Sequence, residues 1–384
     1  MKNIGITTTV PIEVLIAAGY NVIDLNNVFI ATEMYASDIE RAERDGFPKS
    51  SCAWIKGIYG ACIRCGISEI VGVTEGDCSN TKALSEVLKR RGIKVYNFSY
   101  PSEHTLSNVT SEINRFMESF NVTLDQVEAV RKELNEVRHY TKIIDELTYI
   151  ENKATGFENH ISQVTLSDFV TLSDFVALSD FSSQSDLDTV TSLCNKSEQD
   201  NTGRVVVDKL PGNNLNQICN FESNPSKFKD RLLGRIYEIR HRTPINNRLR
   251  LGYIGVPPMT CDIYSYVEKF DSRIVYNEVQ REFAFPRAKD AQNVYEQYYD
   301  YTYPYDLTFR LKEINKQIEL RRIDGIIHYT QSFCHRAIED IVIKEALNIP
   351  VLTIEGDKSN CLDSRTKLRI EAFLDMLLDL ETSE

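Results

Sequence analysis

GISEIVGVTEGDCSNTKALSEVLKRRGIKVYNFSYP, residues 66–101, contains the order of elements that decides the fold. An apolar run of strand type comes first, followed by a short loop with Cys78, an amphipathic helical pattern and a second apolar run. RIDGIIHYTQSFCHRAIEDIVIKEALNIPVLTIEGD, residues 322–357, repeats that order with Cys334 in the loop. A strand–helix–strand alternation of this kind is typical of a parallel α/β sheet.

The two stretches correspond without a gap at a single offset of 256 residues. Cys78 lies 12 residues after the start of its stretch, and Cys334 has the same place in the second. Val95 and Val351, in the second apolar runs, each lie 17 residues past their cysteine. We interpret this as an internal duplication that produces two Rossmann-like (flavodoxin-like) parallel α/β halves. Each half then carries a cysteine just beyond a strand and at the start of a helix.

The segments that open the two halves fit the same interpretation. Residues 3–10 and 250–256 both have the pattern of a buried strand, and each ends in Val-Pro. A helical pattern follows each of them, and then a further strand near residues 21–26 and 273–279. The sequence therefore predicts that each half begins with two strands of its sheet.

The length of 384 residues suits two domains with a connecting piece. Thr123 and Gln126 have the spacing of a helix capping box, and the apolar residues after them recur at intervals of three, four and seven. A long helix between the halves is therefore expected. The predicted order is a first α/β half, a long helical connector, a low-complexity insertion, a helical connector and a second α/β half, over residues 1–120, 121–160, 161–221, 222–246 and 247–384.

The predicted insertion begins with a repeat. Residues 165–181 read TLSDFVTLSDFVALSDF, a hexapeptide in nearly three copies, and a stretch rich in Ser, Asp and Asn follows to about residue 220. A period of six residues is too short for a helical solenoid. We expect a mobile surface insertion with no catalytic part.

Composition excludes several classes of function. A net charge of −12 argues against nucleic acid as a main partner, because phosphate binding requires clustered Lys and Arg. No apolar run reaches the roughly 20 residues needed to span a bilayer, and the N-terminus has no signal-peptide pattern. A cytoplasmic protein is expected. Its nine cysteines are an odd number, which favours buried thiols or metal ligands over a disulfide framework.

Cys78 and Cys334 lie where open α/β sheets bind ligands, and helix N-termini stabilise thiolates. A third cysteine, Cys52, opens the segment CAWIKGIYG, 26 residues before Cys78. Three thiolates around one cleft suit an iron–sulfur cluster and leave one iron open to substrate or water. Ordinary buried cysteines of an α/β core are the alternative, since the spacing matches no ferredoxin pattern.

Five segments in this order resemble the 2-hydroxyacyl-CoA dehydratase and benzoyl-CoA reductase family: IGITTTVPIEVLIAAG, CAWIKGIYG, VTEGDCSNT, QSFCH and LDSRTKLRIEAFLDML. The resemblance covers the chain except the insertion near residues 165–220. It implies a cluster-bearing subunit in which Cys52, Cys78 and Cys334 hold a [4Fe-4S] cluster with one open iron site.

The resemblance also implies a mechanism and partners. A separate ATP-hydrolysing iron–sulfur activator would supply one low-potential electron, which passes through the cluster to an acyl-CoA-like thioester and gives a ketyl radical. Dehydration or ring reduction would follow, in an anaerobic source, with a homologous second subunit or a second copy of this chain as partner. Two alternatives are an ATP-dependent reductase of a small non-CoA substrate and a non-catalytic cluster protein that transfers electrons or senses redox state.

Two further candidates come from the same resemblance. Glu13 matches the Pro-x-Glu position, where an acid could assist proton movement; a glutamate that stabilises a helix N-terminus is the alternative. His335 follows a ligand cysteine and could donate a hydrogen bond to cluster or substrate; an exposed histidine is the alternative. Val256 and the region of Val279 stand where the double-cubane branch has further cysteines, so a single cluster is expected.

The other cysteines receive no cluster role. Cys62 and Cys65 form a Cys-x-x-Cys pair, but no second such pair exists for a zinc site, and we interpret them as helix-borne and incidental. Two more lie in the insertion and two are interpreted as structural: Cys194, Cys219, Cys261 and Cys361.

Three neighbours of the proposed ligands are further candidates. Trp54 and Lys56 adjoin Cys52 and could shield the cluster or contact the activator, and Gln331 could orient a ligand. The sequence has no GxxxxGK[ST] and no GxGxxG after an opening strand, which argues against a P-loop ATPase and a nicotinamide cofactor.

Overall fold

The computed structural model describes residues 1–30, 34–168, 225–260, 262–284 and 291–381. Within these residues there are eight strands, four in each half: β1 Lys2–Ile6, β2 Tyr20–Asp24, β3 Glu69–Glu75, β4 Lys94–Ser99, β5 Leu249–Gly255, β6 Ser272–Asn277, β7 Gly325–Gln331 and β8 Val351–Gly356. The strands begin and end within a few residues of the predicted segments.

The two sheets have the same topology. The first has the order β2-β1-β3-β4 and the second the order β6-β5-β7-β8, and every neighbouring pair is parallel. The prediction of two parallel α/β halves is therefore confirmed. In each half the chain moves first to one side of its opening strand and then to the other. The switch points, where such sheets bind ligands, lie between β1 and β3 and between β5 and β7.

Helices cover the faces of both sheets. Those of the first half are α1 Ile12–Ala17, α2 Leu25–Ile30, α3 Tyr35–Arg44, α4 Ala53–Arg64, α5 Ser79–Arg90 and α6 Leu106–Phe120. Three connect the halves: α7 Leu124–Tyr149, α8 Gly156–Val164 and α9 Pro225–Arg240. Those of the second half are α10 Asp262–Val267, α11 Glu278–Ala284, α12 Val294–Tyr299, α13 Leu307–Arg321, α14 Asp340–Ala346 and α15 Ser364–Glu381.

The predicted long helix is α7, and its capping box is present. The Thr123 hydroxyl accepts the backbone N–H of Gln126, and the Gln126 side chain accepts the backbone N–H of Thr123. Asp145, near the other end of α7, is buried and pairs with Arg321 of α13, with Nη1–Oδ1 at 2.9 Å. The helix therefore connects both halves through its buried face as well as through the chain.

Both halves enter their third strand through the same turn. Gly66 and Arg322, at equivalent positions of the duplication, adopt left-handed conformations with φ of 61° and 52°. In each half the next residue donates its backbone N–H to the carbonyl five residues earlier, at 3.1 Å. This pair of features is a Schellman-type helix ending, and its occurrence at both places supports the duplication.

The start of the hexapeptide repeat differs from the expected surface insertion. Residues 165–168 are buried, and Leu166 lies in the apolar core. The carboxylate of Asp168 accepts the backbone N–H of Asp24 at 2.9 Å, and Ser167 accepts a bond from the Asn27 amide at 3.0 Å. These residues are interior because they satisfy polar groups at the end of β2. The rest of the repeat lies outside the described residues. Cys194 and Cys219, which follow the repeat, also lie outside them.

Across the described ranges, every helix is too short or too polar to cross a membrane.

Candidate functional site

A cleft of about 810 Å³ lies between the carboxyl ends of the two sheets. The first half contributes residues that follow β1, β2 and β3, and the second half contributes residues that follow β5, β6 and β7. Both switch points therefore face one space, which is where sheets of this kind bind ligands. Cys52, Cys78 and Cys334 all lie in the wall of this cleft.

Cys52 precedes α4 and is 4% exposed. The backbone N–H groups of Trp54 and Ile55, in the first turn of the helix, lie near its sulfur but form no capping hydrogen bond with it. Burial raises the pKa of the Cys52 thiol, and these two amides oppose the increase. The sulfur is thus held at a helix N-terminus, where unpaired amides favour a negatively charged ligand atom.

Cys78 follows β3 and Cys334 follows β7, and both are half-buried. Burial raises the pKa of Cys78 to about 12, and the carboxylate of Asp77 adds to the increase. Burial also raises the pKa of Cys334, while the backbone N–H and the charge of Arg336 lower it. The backbone amide two residues further on, that of Asn80 or of Arg336, lowers the pKa of each thiol. Each of the three cysteines immediately precedes a helix or a 3₁₀ turn.

The three sulfurs are close enough for their charges to interact. Burial is the main reason for the raised pKa of Cys52 and of Cys78, and a thiolate at Cys334 raises both further. Among the described residues, no three or more His, Cys, Asp or Glu side chains converge on one point as a single metal ion requires.

The remaining described cysteines lie elsewhere. The Cys-x-x-Cys pair lies outside the cleft wall, and neither of its members, Cys62 and Cys65, is in a disulfide. Burial raises the pKa of Cys62 to about 12, and its Sγ bonds to the Ile67 carbonyl at 3.9 Å. Cys361 is disulfide-bonded, which the expectation of free thiols did not include. Cys261 lies outside the described residues.

Glu13 is buried but does not line the cleft. Its carboxylate pairs with Arg138 of α7 at 2.8 Å and accepts bonds from Gln297 and Tyr298 of α12, both at 2.8 Å. Burial acts to raise the pKa of Glu13, but Arg138 and Gln297 outweigh it and the pKa is lowered. The structure thus places Glu13 among helices that it holds together, apart from the cysteines with which it was grouped.

His335 and Gln331 both lie in the cleft wall. His335 is exposed, and partial burial together with Arg336 lowers its pKa. Gln331 is buried at the end of β7, and its amide donates to the Asp357 carbonyl at 2.6 Å. The structure therefore brings both candidates to the side of Cys334, and Gln331 is fixed in orientation.

The two neighbours of Cys52 point in different directions. Trp54 lines the cleft and donates from Nε1 to Asn26 at 2.6 Å. Lys56 is fully buried away from the cleft, where its ammonium bonds to Glu43 at 2.8 Å and to the Lys49 carbonyl at 3.1 Å. Lys56 is therefore a structural residue, and its burial rules out the expected contact with a partner.

Several wall residues were not identified from the sequence. They are Thr7 and Asn26 of the first half, Asp77 beside Cys78, and Tyr303 and Arg336 of the second half. Asp77 and Arg336 flank proposed ligands, and this adjacency was the available signal. Tyr303 and Asn26 had none, because only the packing of the halves brings them to the cleft.

Two parallel α/β halves, with one cysteine-lined cleft at both switch points, define an α/β protein with a candidate ligand site between its halves. Comparison with known families gives the particular group. The chain belongs to the 2-hydroxyglutaryl-CoA dehydratase D-component family (HGD-D), which matches residues 7–377. This membership implies a dehydratase-type enzyme subunit, in a family that in general binds iron–sulfur clusters. No curated protein matches the chain.

Proposed function

We propose that this chain is the cluster-bearing subunit of a 2-hydroxyacyl-CoA dehydratase-type enzyme. Cys52, Cys78 and Cys334 would hold one [4Fe-4S] cluster, with the fourth iron open to the cleft. The observation that carries the proposal is that three free cysteines, remote in sequence, line one cleft at the switch points of both sheets.

The donor set fits such a cluster. Three thiols near one another in a partly dry cleft have raised pKa values, so they require a bound cation to persist together as thiolates. Each cysteine stands at the start of a helix or a 3₁₀ turn, where backbone amides favour a negatively charged sulfur. Cys62 and Cys65 lack this environment because both lie outside the cleft wall.

The wall also supports one cluster in preference to two. Val256 and Val279 both line the cleft, at the positions where the double-cubane branch was expected to have cysteines. A valine cannot ligate iron, and its side chain excludes water from the space beside Cys334. The second half therefore supplies one thiolate and an apolar surface, and the first half supplies two thiolates.

When bound, the cluster would supply low-potential electrons and, at its open iron, a Lewis acid. The chain's own residues would shape the space in which a thioester reacts. Trp54, fixed by its bond to Asn26, covers the side of Cys52, and the apolar wall of Val256 and Val279 keeps the cleft dry. Gln331, fixed by the Asp357 carbonyl, maintains the path of the loop that carries Cys334.

The electron donor in this proposal is a separate ATP-hydrolysing iron–sulfur activator. The sequence has no GxxxxGK[ST] loop for nucleotide phosphates, so ATP would be hydrolysed on another chain. A homologous subunit or a second copy of this chain would complete the enzyme, and the substrate would be an acyl-CoA that undergoes one-electron dehydration or reduction.

The test is anaerobic purification followed by measurement of iron, acid-labile sulfide and the EPR spectrum. We expect about four irons per chain, with the iron lost in each of Cys52→Ala, Cys78→Ala and Cys334→Ala. Cys65→Ala is the matched control, because Cys65 is a half-buried cysteine without a disulfide, as Cys78 is, but lies outside the cleft. Iron that is absent from the wild type, or retained in all three variants, would overturn the proposal.

A second measurement separates the thioester reaction from the alternatives. With activator and ATP present, a 2-hydroxyacyl-CoA should be dehydrated and should protect the cleft cysteines from alkylation. Turnover of only small non-CoA substrates would favour the reductase alternative. A loaded cluster with no turnover on any substrate would favour an electron-transfer or redox-sensing role.

A further inference from the structure

The wall of the cleft contains a single cationic side chain of the Lys and Arg type within the described residues, that of Arg336. Arg336 lies two residues after Cys334, beyond the first residue of a short 3₁₀ turn, His335–Ala337. It is 8% exposed, so its charge is largely withdrawn from bulk water. A guanidinium in such surroundings interacts more strongly with an anion than one on the open surface does.

The guanidinium is held rigidly from one side. Nη1 bonds to the carboxylate of Glu339 at 3.1 Å, and Nη2 bonds to the carbonyl of Tyr303 at 3.1 Å. The guanidinium carbon lies 3.9 Å from the centroid of the Tyr303 ring. Within the described part of the chain these bonds use Nη1 and Nη2 and leave Nε–H without a protein acceptor. A fixed guanidinium with a donor to spare is suited to bind an oxyanion.

Arg336 is one end of a chain of paired charged side chains. Glu339 also bonds to Arg310 at 2.6 Å, and Arg310 pairs with the buried Glu278. The four groups form a neutral chain of two cations and two anions. Of these four, Arg336 is the one that lines the cleft. The chain therefore presents a preorganised positive end to the cleft, and preorganised charge of this kind stabilises an anion without reorganisation.

We propose that Arg336 is the anion-binding residue of the cleft and that its ligand is a carboxylate group carried by the substrate. This deepens the proposed function, because it rests on the cleft being the substrate site, and it names the substrate class. A cleft whose described wall holds one guanidinium matches one small anionic group. The several phosphates of a CoA nucleotide need more cationic partners, so that part of a thioester would lie outside this wall.

The first test uses two alkylating agents of nearly equal size, anionic iodoacetate and neutral iodoacetamide, on the full chain without iron. The ratio of their rates at Cys78 and Cys334 cancels the thiolate fraction of each cysteine and reports the preference for an anion. We expect this ratio to be about tenfold higher than for N-acetylcysteinamide, a neutral thiol free in solution, since one charge-assisted hydrogen bond supplies at least that factor. Cys65 is not used as the reference, because its sulfur accepts from Nη1 of Arg64 at 3.7 Å.

In R336Q the ratio at Cys78 and Cys334 should fall to the value of the free thiol, and the ratio at Cys65 should not change. R336K retains the charge and should keep part of the preference. A ratio at Cys78 and Cys334 of the wild type that equals the ratio of the free thiol would overturn the inference, whether or not either variant folds. A high ratio that survives in folded R336Q would assign the anion preference to another group and would also overturn it.

The second test uses the iron-loaded chain and separates substrate binding from mere balance of the cluster's charge. Lactate and lactamide differ in the carboxylate but little in size. We expect lactate to change the EPR spectrum of the reduced wild type at concentrations where lactamide has no effect, and to change nothing in R336Q. No response to lactate in a loaded wild type would overturn the inference and leave the cluster proposal standing. A chain that binds no iron but still prefers iodoacetate would overturn the cluster proposal and leave the inference about Arg336 standing.

Discussion

The two halves have the same strand order but give the cleft unlike walls. After its opening strands the first half presents Thr7 and Asn26, whereas the second presents Val256 and Val279. The strand ends of one duplicated framework thus present polar side chains in the first half and apolar side chains in the second, and the second half also contributes Arg336. A bound molecule would be oriented by this difference, with its anionic group toward Arg336.

The segments after the two matched cysteines differ as well. Cys78 leads directly into the 12-residue helix α5. Cys334 leads into the 3₁₀ turn, His335–Ala337, and the helix α14 follows only at Asp340. The tighter turn places Arg336 in the cleft wall, and Glu339, at the end of this segment, holds its guanidinium. The difference shows that the two halves share the position of the cysteine and differ in the residues that follow it.

The largest expected effect comes from breaking the ion pair that supports the second half. Arg310 and Glu278 are 1% and 2% exposed, and Nη2 of Arg310 bonds to Oε2 of Glu278 at 2.9 Å. Arg310→Met would leave the buried carboxylate of Glu278 without its cation. We expect the free energy of unfolding to fall by about 3–5 kcal/mol, measured by urea denaturation.

The control for that prediction is an exposed pair of the first half. Lys89→Ala removes a surface ion pair with Glu86 and should change the free energy of unfolding by less than about 1 kcal/mol. The double variant Arg310→Met/Glu278→Leu should be more stable than Arg310→Met alone, because no unpaired charge remains. A loss in Arg310→Met that is no larger than that in Lys89→Ala would contradict the prediction.

Glu13 is a buried glutamate of the first half. Its replacement should change the free energy of unfolding by less than Arg310→Met does, and the change should depend on pH. Burial opposes ionisation, but Arg138 and Gln297 lower the pKa of Glu13 below its usual range. A carboxyl with a lowered pKa contributes stability above its unfolded pKa of about 4.3, and this contribution is lost as the pH falls through the folded pKa. Glu13→Gln should therefore flatten the loss of stability below about pH 5.

At neutral pH the same variant should cost about 2 kcal/mol, less than Arg310→Met. Arg138 keeps a bond to Asn135 at 3.0 Å, and a glutamine at position 13 can still accept from Tyr298. The measurement is urea denaturation at a series of pH values, with Glu86→Gln, an exposed carboxyl, as control. Parallel pH curves for Glu13→Gln and the wild type would show that this carboxyl does not supply the acid dependence.

The sequence predicted the elements that depend on local pattern. The alternation of apolar runs and amphipathic segments predicted both sheets, and the spacing of Thr123 and Gln126 predicted the start of α7. The position of Cys78 and Cys334 after strands also followed from pattern, because a helix begins where the apolar run ends. These features are set within about 36 residues of chain.

What the sequence did not predict depends on contacts between distant segments. Glu13 resembled a cleft acid, but its surroundings are set by Arg138 and α12, which come together only in the folded chain. Residues 165–168 resembled a surface repeat, although their polar groups satisfy the end of β2. Tyr303 lacks any motif, and its place under Arg336 follows from packing between elements of the second half.

The smallest expected effect tests the duplication at one turn. Gly66 and Arg322 occupy equivalent positions and share a left-handed backbone, which costs a residue with a Cβ about 1 kcal/mol. A Cβ added at Gly66 meets no atom within 4 Å, so Gly66→Ala would change only the backbone term. We expect Gly66→Ala to lower the free energy of unfolding by about 1 kcal/mol and Arg322→Gly to raise it by about 0.5–1 kcal/mol.

Gly234 of α9 provides the opposite control for this pair. It lies in a helix with open space at its Cβ position, so Gly234→Ala should stabilise the protein by about 0.5–1 kcal/mol through helix propensity. We expect the free energy of unfolding to fall in Gly66→Ala and to rise in Arg322→Gly and Gly234→Ala. This result would show that backbone conformation, and not the loss or gain of a methyl group, decides the sign of the change in stability. A loss in Arg322→Gly would instead mean that the arginine side chain stabilises the second half by more than its strained backbone costs, and the two turns would then be equivalent in shape only.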